Sequence, residues 1–304
     1  MWHEPITRYT LGLSFMFSFY WLCKRFVVSP LLAEGKLPKE RKVVLETALL
    51  YLPGLCVLWL LLGGQPVSRV VPKSFTVANY VVVFLAQFFA FIIIAAFSLL
   101  EVKLSLLTPE MLEKREREDH KGLNALLLVI IVPLLEELVN RKLLGNLLGT
   151  EHMRFFICIS ALIFSLIHLQ TGRIAVAAGT FYAGFLWAWV YAASGSLLLC
   201  ALYHSLYNLM MVFIPEYLQE KKGKTAHNLY IAGLILAGSI GLLLFTFNIT
   251  HYLPPEFSAA QSLWQTVFSS WGFWVLVVVC ALSYVYGRQS LWYHRTKLSN
   301  DSHK

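Results

Sequence analysis

The feature that most limits what this chain can become is a succession of apolar runs, each about the length of a bilayer. They fall at roughly 43–64, 80–100, 122–148, 153–172, 174–193, 196–214, 229–248 and 264–286, and a helix needs about 20 such residues to cross the hydrocarbon core. A ninth run, Tyr9 to Val28, is shorter and carries Lys24 and Arg25. It has no small-residue cleavage site, so it reads as an N-terminal span or an interfacial helix and not as a removable leader. Composition agrees: 58% of the 304 residues are hydrophobic and 14% charged, against nearer half and a quarter in soluble domains. One soluble core cannot hide that much apolar surface. The expected fold is all-α, a polytopic transmembrane helical bundle of eight or nine spans.

Basic residues outnumber acidic ones, 25 to 17. In a membrane protein this excess reads as a topology signal and not as a nucleic-acid footprint, so no nucleic-acid partner is expected. If all nine segments span, one set of alternate loops holds 19 of the 25 Lys and Arg residues. The positive-inside rule then places the N-terminus outside and the C-terminus in the cytoplasm, and the expected location is a bacterial cytoplasmic membrane. The chain divides into N-terminal helices and polar loops (1–121), a central segment (122–214) and C-terminal helices with a basic tail (215–304). Glu110–Lys121 reads as a solvated loop, or else as a mixed-charge helix at the interface. Trp187, Trp189, Trp271, Trp274 and Trp292 read as lipid-facing or interfacial anchors.

Several chemistries are excluded. The only aspartates are Asp119 and Asp301, in a charged loop and the tail, so an intramembrane aspartyl dyad cannot form. No lysine falls within an apolar segment deep enough for a Ser–Lys dyad, and no HExxH follows any histidine. Cys23, Cys56, Cys158, Cys200 and Cys280 are scattered without CxxC spacing and read as small hydrophobes.

Glu136 and Glu137 stand apart from the other glutamates, inside the run ALLLVIIVPLLEELVNRKLLGNLLG. A carboxylate at membrane depth costs about 2.5–3.5 kcal/mol on insertion scales, so an adjacent pair needs partners. Arg141 follows Glu137 by one helical turn on the same face, and the two can pair. Glu136 is rotated about 100° away and is left to present its carboxylate to a cavity. Phe164 and His168, then His204 and Asn208, repeat the one-turn spacing in two further apolar runs. A carboxylate and an imidazole can activate water, while a second imidazole and an amide can donate to an oxyanion. That set suffices for peptide hydrolysis without a covalent nucleophile.

The order EExxxR (Glu136 to Arg141), FxxxH (Phe164 to His168) and HxxxN (His204 to Asn208) resembles the CPBP family, the CAAX-protease and bacteriocin-processing or Abi family of glutamic intramembrane endopeptidases. The stretch AGFLWAWVYAASGSLLLCALYH before the last motif is also similar, and the resemblance runs from about Leu123 to Val212. It implies that Glu136 and His168 hold and activate the water, and that His204 and Asn208 stabilise the oxyanion. Glu137 and Arg141 would brace the site, with Phe164 packed beside it. The substrate implied is a membrane-bound peptide or a protein's C-terminal segment, and no metal or other cofactor is expected, although two histidines and a glutamate can in principle hold zinc. Where the family often has Phe before the arginine and Gly after it, this chain has Asn140 and Lys142. That departure bears on substrate preference more than on chemistry. Two other classes stay open: a transporter or channel with an intramembrane Glu/Arg/His ion site, and a catalytically silent scaffold or immunity protein.

Overall fold

A computed structural model describes residues 3–63, 76–104, 106, 123–148, 152–252 and 260–301. The mixed-charge stretch Glu110–Lys121 lies outside them. The described residues form helices α1 (Glu4–Ala33), α2 (Arg41–Leu62), α3 (Val77–Lys103), α4 (123–148), α5 (Met153–His168), α6 (Ile174–Ser194), α7 (Leu197–Lys221), α8 (Lys224–Tyr252), α9 (Ala260–Ser269) and α10 (Trp271–Asp301), with no strand among them. Eight of these, all but α4 and α9, are long and apolar enough to cross a membrane. The protein is an all-α polytopic bundle. Helix α4 is continuous over its apolar run but carries Glu136, Glu137, Arg141 and Lys142.

Packing sorts the helices by how much protein surrounds them. More than half of α5 and α6 is buried inside the bundle, against a third or less of the other six candidate spans. Helix α6 lies between α5 and α3, α1 packs on α2 and α10, and α8 packs on α3. Helix α4 touches α1, α2, α5 and α7, which puts its charged turn at a junction of four neighbours. Small residues make the closest approaches: Ala175, Ala177, Gly179, Ala183 and Gly184 of α6 are all buried.

The structure departs from the sequence reading in three places. Helix α1 is longer than the run Tyr9–Val28, extending from Glu4 to Ala33, with Lys24 accommodated within it. The lysine pairs with Glu46 at 3.5 Å and lies 3.3 Å from the Tyr20 hydroxyl. The run 264–286 is two helices broken at Ser270, which is wholly buried and shares a 2.8 Å hydroxyl–hydroxyl bond with Thr7 of α1. Two residues on, Gly272 lies against the Thr7 carbonyl, where a Cβ would come within 2.7 Å. Finally, Trp187 and Trp189 are buried, 1% and 4% exposed, whereas Trp271 and Trp274 are exposed. The first two pack inside α6 instead of facing lipid.

Proline shapes three of the helices. Among the described residues, π turns at Lys24–Val28, Leu127–Ile131 and Leu209–Phe213 each end two residues before a proline: Pro30, Pro133 and Pro215. Proline has no N–H and its ring crowds the carbonyl four residues back, so the preceding turn widens while the helix continues. The closest crossing is made by α8, where a Cβ on Gly238 or Gly241 would collide with the backbone of α3 between Leu85 and Phe89. Gly233, on the same helix, faces open space.

The two positions should therefore respond differently to one substitution. Gly241→Leu must push α8 off α3, and overpacking of this kind costs about 1–3 kcal/mol. Gly233→Leu replaces a poor helix former without a clash and should be neutral or stabilising. Denaturant unfolding of the two purified variants should show a lowered midpoint for Gly241→Leu only.

Candidate active site

The centre of the site is Glu137, whose side chain is wholly buried. Its Oε2 pairs with Arg141 Nε at 3.0 Å, and the arginine side chain is also wholly buried. This is the one-turn pair expected from spacing. Its Oε1 lies 3.1 Å from His204 Nδ1 on α7. An isolated buried carboxylate would carry a heavy desolvation cost, and here a guanidinium and an imidazole share it.

Arg141 also contacts α5. Its Nη1 donates to Ser160 Oγ on α5 at 2.7 Å, and that hydroxyl donates to the Asn140 carbonyl at 2.7 Å. The guanidinium lies over the Phe164 ring, 4.9 Å from its centroid. The local reason is a widened turn, Leu138–Leu143, whose carbonyls need donors from elsewhere. Tyr9 of α1 donates to the Val139 carbonyl at 3.1 Å, and Asn140 Nδ2 donates to the Glu136 carbonyl at 2.8 Å.

Glu136 is turned away from Arg141 and is 18% exposed at its side chain. Its Oε2 lies 3.6 Å from His204 Nε2, so the imidazole stands between the two adjacent carboxylates. The Tyr51 hydroxyl of α2 interacts with the Glu136 carboxylate from the other side.

The rings are stacked in series. Trp187 of α6 lies flat on His204, with centroids 4.0 Å apart and planes at 21°. Its indole N–H donates to the wholly buried Gln87 Oε1 at 3.0 Å. Phe164 meets His204 edge-on at 5.9 Å and His168 at 4.4 Å, so its ring lies between the two histidines. His168 closes the last turn of α5. The turn after it passes through Gly172 at φ 71°, a conformation glycine adopts without strain. His168 Nδ1 lies 2.7 Å from the Phe164 carbonyl. A carbonyl only accepts, so Nδ1 carries a proton, and in the neutral ring Nε2 keeps its lone pair. Asn208, half-buried one turn beyond His204, donates Nδ2–H to the Leu128 carbonyl of α4 at 3.0 Å.

Glu136, Glu137, Arg141 and His204 are thus in direct contact, Phe164 packs among them, and His168 and Asn208 flank the cluster. An apolar groove lined by Ile93, Phe97, Ser165, Ile174, Ala177 and Phe181 lies on α3, α5 and α6, and none of Glu136, His168, His204 and Asn208 lines it. Arg173 turns away from the site toward α3, where it lies 3.6 Å from Glu101 and donates to Ser98 at 2.6 Å. Among the described residues, no group of three or more His, Cys, Asp or Glu side chains is arranged to hold a metal ion. The residues that sequence reasoning missed are Tyr9, Tyr51, Gln87 and Ser160, together with Trp187, which was read as an anchor. None has a spacing relation to the motifs.

No curated protein and no solved structure matches the chain. Residues 119–210, under a third of its length, match the family described as Type II CAAX prenyl endopeptidase Rce1-like. That stretch contains Glu136, Glu137, Arg141, Phe164, His168, His204 and Asn208. The segment of this integral membrane protein that carries all three motifs is therefore that of an endopeptidase family, the CAAX protease family that the motifs resemble.

Proposed function

We propose that the protein is an intramembrane endopeptidase that hydrolyses a peptide bond in a membrane-bound peptide or in a protein's C-terminal segment, using water activated by Glu136 and His168. The observation that carries this reading is the 3.6 Å approach of the partly exposed Glu136 carboxylate to His204, a ring fixed from behind by Glu137 and Trp187. A carboxylate at this depth is costly and is found where chemistry or transport requires it. Neighbours that hold the imidazole rigid suit a site where charge develops in the transition state.

The chemistry follows from the donors and acceptors. Glu136 accepts a proton from the water as its oxygen bonds to the substrate carbonyl carbon, and the Nε2 lone pair of His168 is a second acceptor for that water. The carbonyl oxygen becomes an oxyanion. His204, held at Nδ1 against Glu137, offers a ring N–H to that oxygen, and Asn208 supplies an amide N–H. Collapse of the intermediate breaks the C–N bond, and the proton first taken from water goes to the departing amine. The products are a carboxylic acid and an amine, with one water consumed and no covalent enzyme intermediate. The apolar groove on α3, α5 and α6 offers a surface for the hydrophobic part of a substrate. A cytoplasmic C-terminus, as the loop charges imply, is part of this reading.

Glu136→Gln keeps the size of the side chain and removes its basicity, so turnover should fall by about 10²-fold or more while the protein remains folded. Comparative peptidomics of membranes containing wild type or this variant would reveal the cleaved substrate. Near-normal turnover by the purified variant would remove Glu136 from the chemistry. Glu137→Gln and Arg141→Ala should instead lower the yield of folded protein as well as its activity, because each leaves a buried charge without its partner.

Hydrolysis should also persist through prolonged treatment with strong chelators, and the purified protein should contain no stoichiometric zinc. Loss of activity on chelation, restored by added zinc, would reassign Glu136, His168 and His204 from water activation to metal ligation.

A further inference from the structure

The hydrogen bond from Asn208 to the Leu128 carbonyl has a specific cause in the α4 backbone. In the π turn Leu127–Ile131, the N–H of Val132 reaches back five residues to the Leu127 carbonyl. The next carbonyl, Leu128, would be met by the N–H of residue 133, but that residue is Pro133 and has none. A carbonyl left unmet in apolar surroundings is costly, and Asn208 Nδ2 fills the vacancy at 3.0 Å. The same arrangement recurs in α7. The N–H of Ile214 reaches Leu209, Pro215 leaves the Met210 carbonyl without a backbone donor, and the Tyr230 hydroxyl of α8 donates to it at 3.0 Å. Of the three prolines in this register, Pro133 and Pro215 thus each expose one carbonyl that is met by a side chain from another helical segment.

We propose that Pro133 is a positioning residue of the candidate active site: by withholding the backbone donor from Leu128, it draws one N–H of the Asn208 amide onto α4 and leaves the other free for the substrate oxyanion. This rests on the hydrolase reading and adds to it a residue that touches neither water nor substrate. Without the Leu128 anchor the amide turns freely about its terminal torsion, and its second N–H is no longer held in place. Pro133→Ala supplies the missing N–H, lets Leu128 be satisfied within α4, and so releases Asn208.

The test uses the full-length protein in lipid nanodiscs, with wild type, Pro133→Ala, Asn208→Ala, the double variant, and a fifth form bearing the α-hydroxy analogue of alanine at position 133. That fifth form has an ester in place of the amide, and therefore neither the proline ring nor an N–H. The first readout does not depend on activity: hydrogen exchange of the Asn208 side-chain amide in ¹⁵N-asparagine-labelled protein, assigned by its loss in Asn208→Ala. One of the two amide protons should be protected in wild type and in the ester form, and neither in Pro133→Ala. The second readout is cleavage of a fluorogenic prenylated CAAX peptide. Pro133→Ala should lower kcat by about 10²-fold with KM little changed, the ester form should turn over like wild type, and the double variant should be no slower than Asn208→Ala. Protection that persists in Pro133→Ala would overturn the proposal. So would loss of protection in the ester form, which also decides the matter if Pro133→Ala does not fold. A double variant slower than Asn208→Ala by the full Pro133→Ala factor would overturn it as well. If wild type leaves the peptide intact, that result counts against the hydrolase reading, while the exchange measurement still decides the positioning.

Discussion

The ion pair between Glu137 and Arg141 is the contact on which the middle of the bundle depends. Neither side chain is exposed, and in an apolar interior each is tolerable only while the other stays in place. The carboxylate also engages His204, and the guanidinium engages Ser160 and Phe164. The pair thereby fixes three helices at one register. A sliding of α7 along α4 would pull His204 off Glu137, and a shift of α5 would take Ser160 from Arg141. Hydrophobic packing alone is permissive about such slips in lipid, because one apolar face is much like another. The buried charges remove that freedom.

The second constraint is that backbone carbonyls must be met even where helices are distorted. The α4 turn Leu138–Leu143 has its carbonyls served by Tyr9 and Ser160, and the Pro133 and Pro215 turns are served by Asn208 and Tyr230. These three distortions become sockets for side chains of other helical segments. Irregular backbone at this depth then contributes to the fold's specificity, since only a polar group at one position can complete each socket.

Much of this was legible in the sequence, because the bilayer is a demanding solvent. Long apolar runs announce the spans, and charges inside such a run are conspicuous, so Glu136, Glu137 and Arg141 could be singled out from spacing alone. What escaped was of two kinds. Trp187 reads as an anchor from what tryptophans commonly do at membrane interfaces, whereas its place is decided by the His204 ring it lies on and by the Gln87 acceptor of its N–H. Tyr9, Tyr51, Gln87 and Ser160 are mildly polar residues in apolar helices, and nothing local distinguishes them from neighbours that face lipid or another helix. Their roles arise only when distant parts of the chain meet. The break at Ser270 was hidden for the same reason, because it depends on Thr7 and on the close approach at Gly272.

Glu101 shows where this leads. Its carboxylate accepts the N–H groups of Ile174 at 2.6 Å and Ala175 at 3.3 Å, and so caps the N-terminus of α6 from α3. The turn that follows His168 is thereby tied to a helix outside residues 119–210. Tyr9, Tyr51 and Gln87 reach into that segment from outside too, at Val139, Glu136 and Trp187. The three motifs are therefore not a portable cassette. Moved by recombination into an unrelated bundle, they would arrive without a cap for α6, without the acceptor for Trp187 and without the donor for Val139. The first three helices and the motif segment form a single physical unit, and substitutions at these four supporting positions act on residues far away in the sequence.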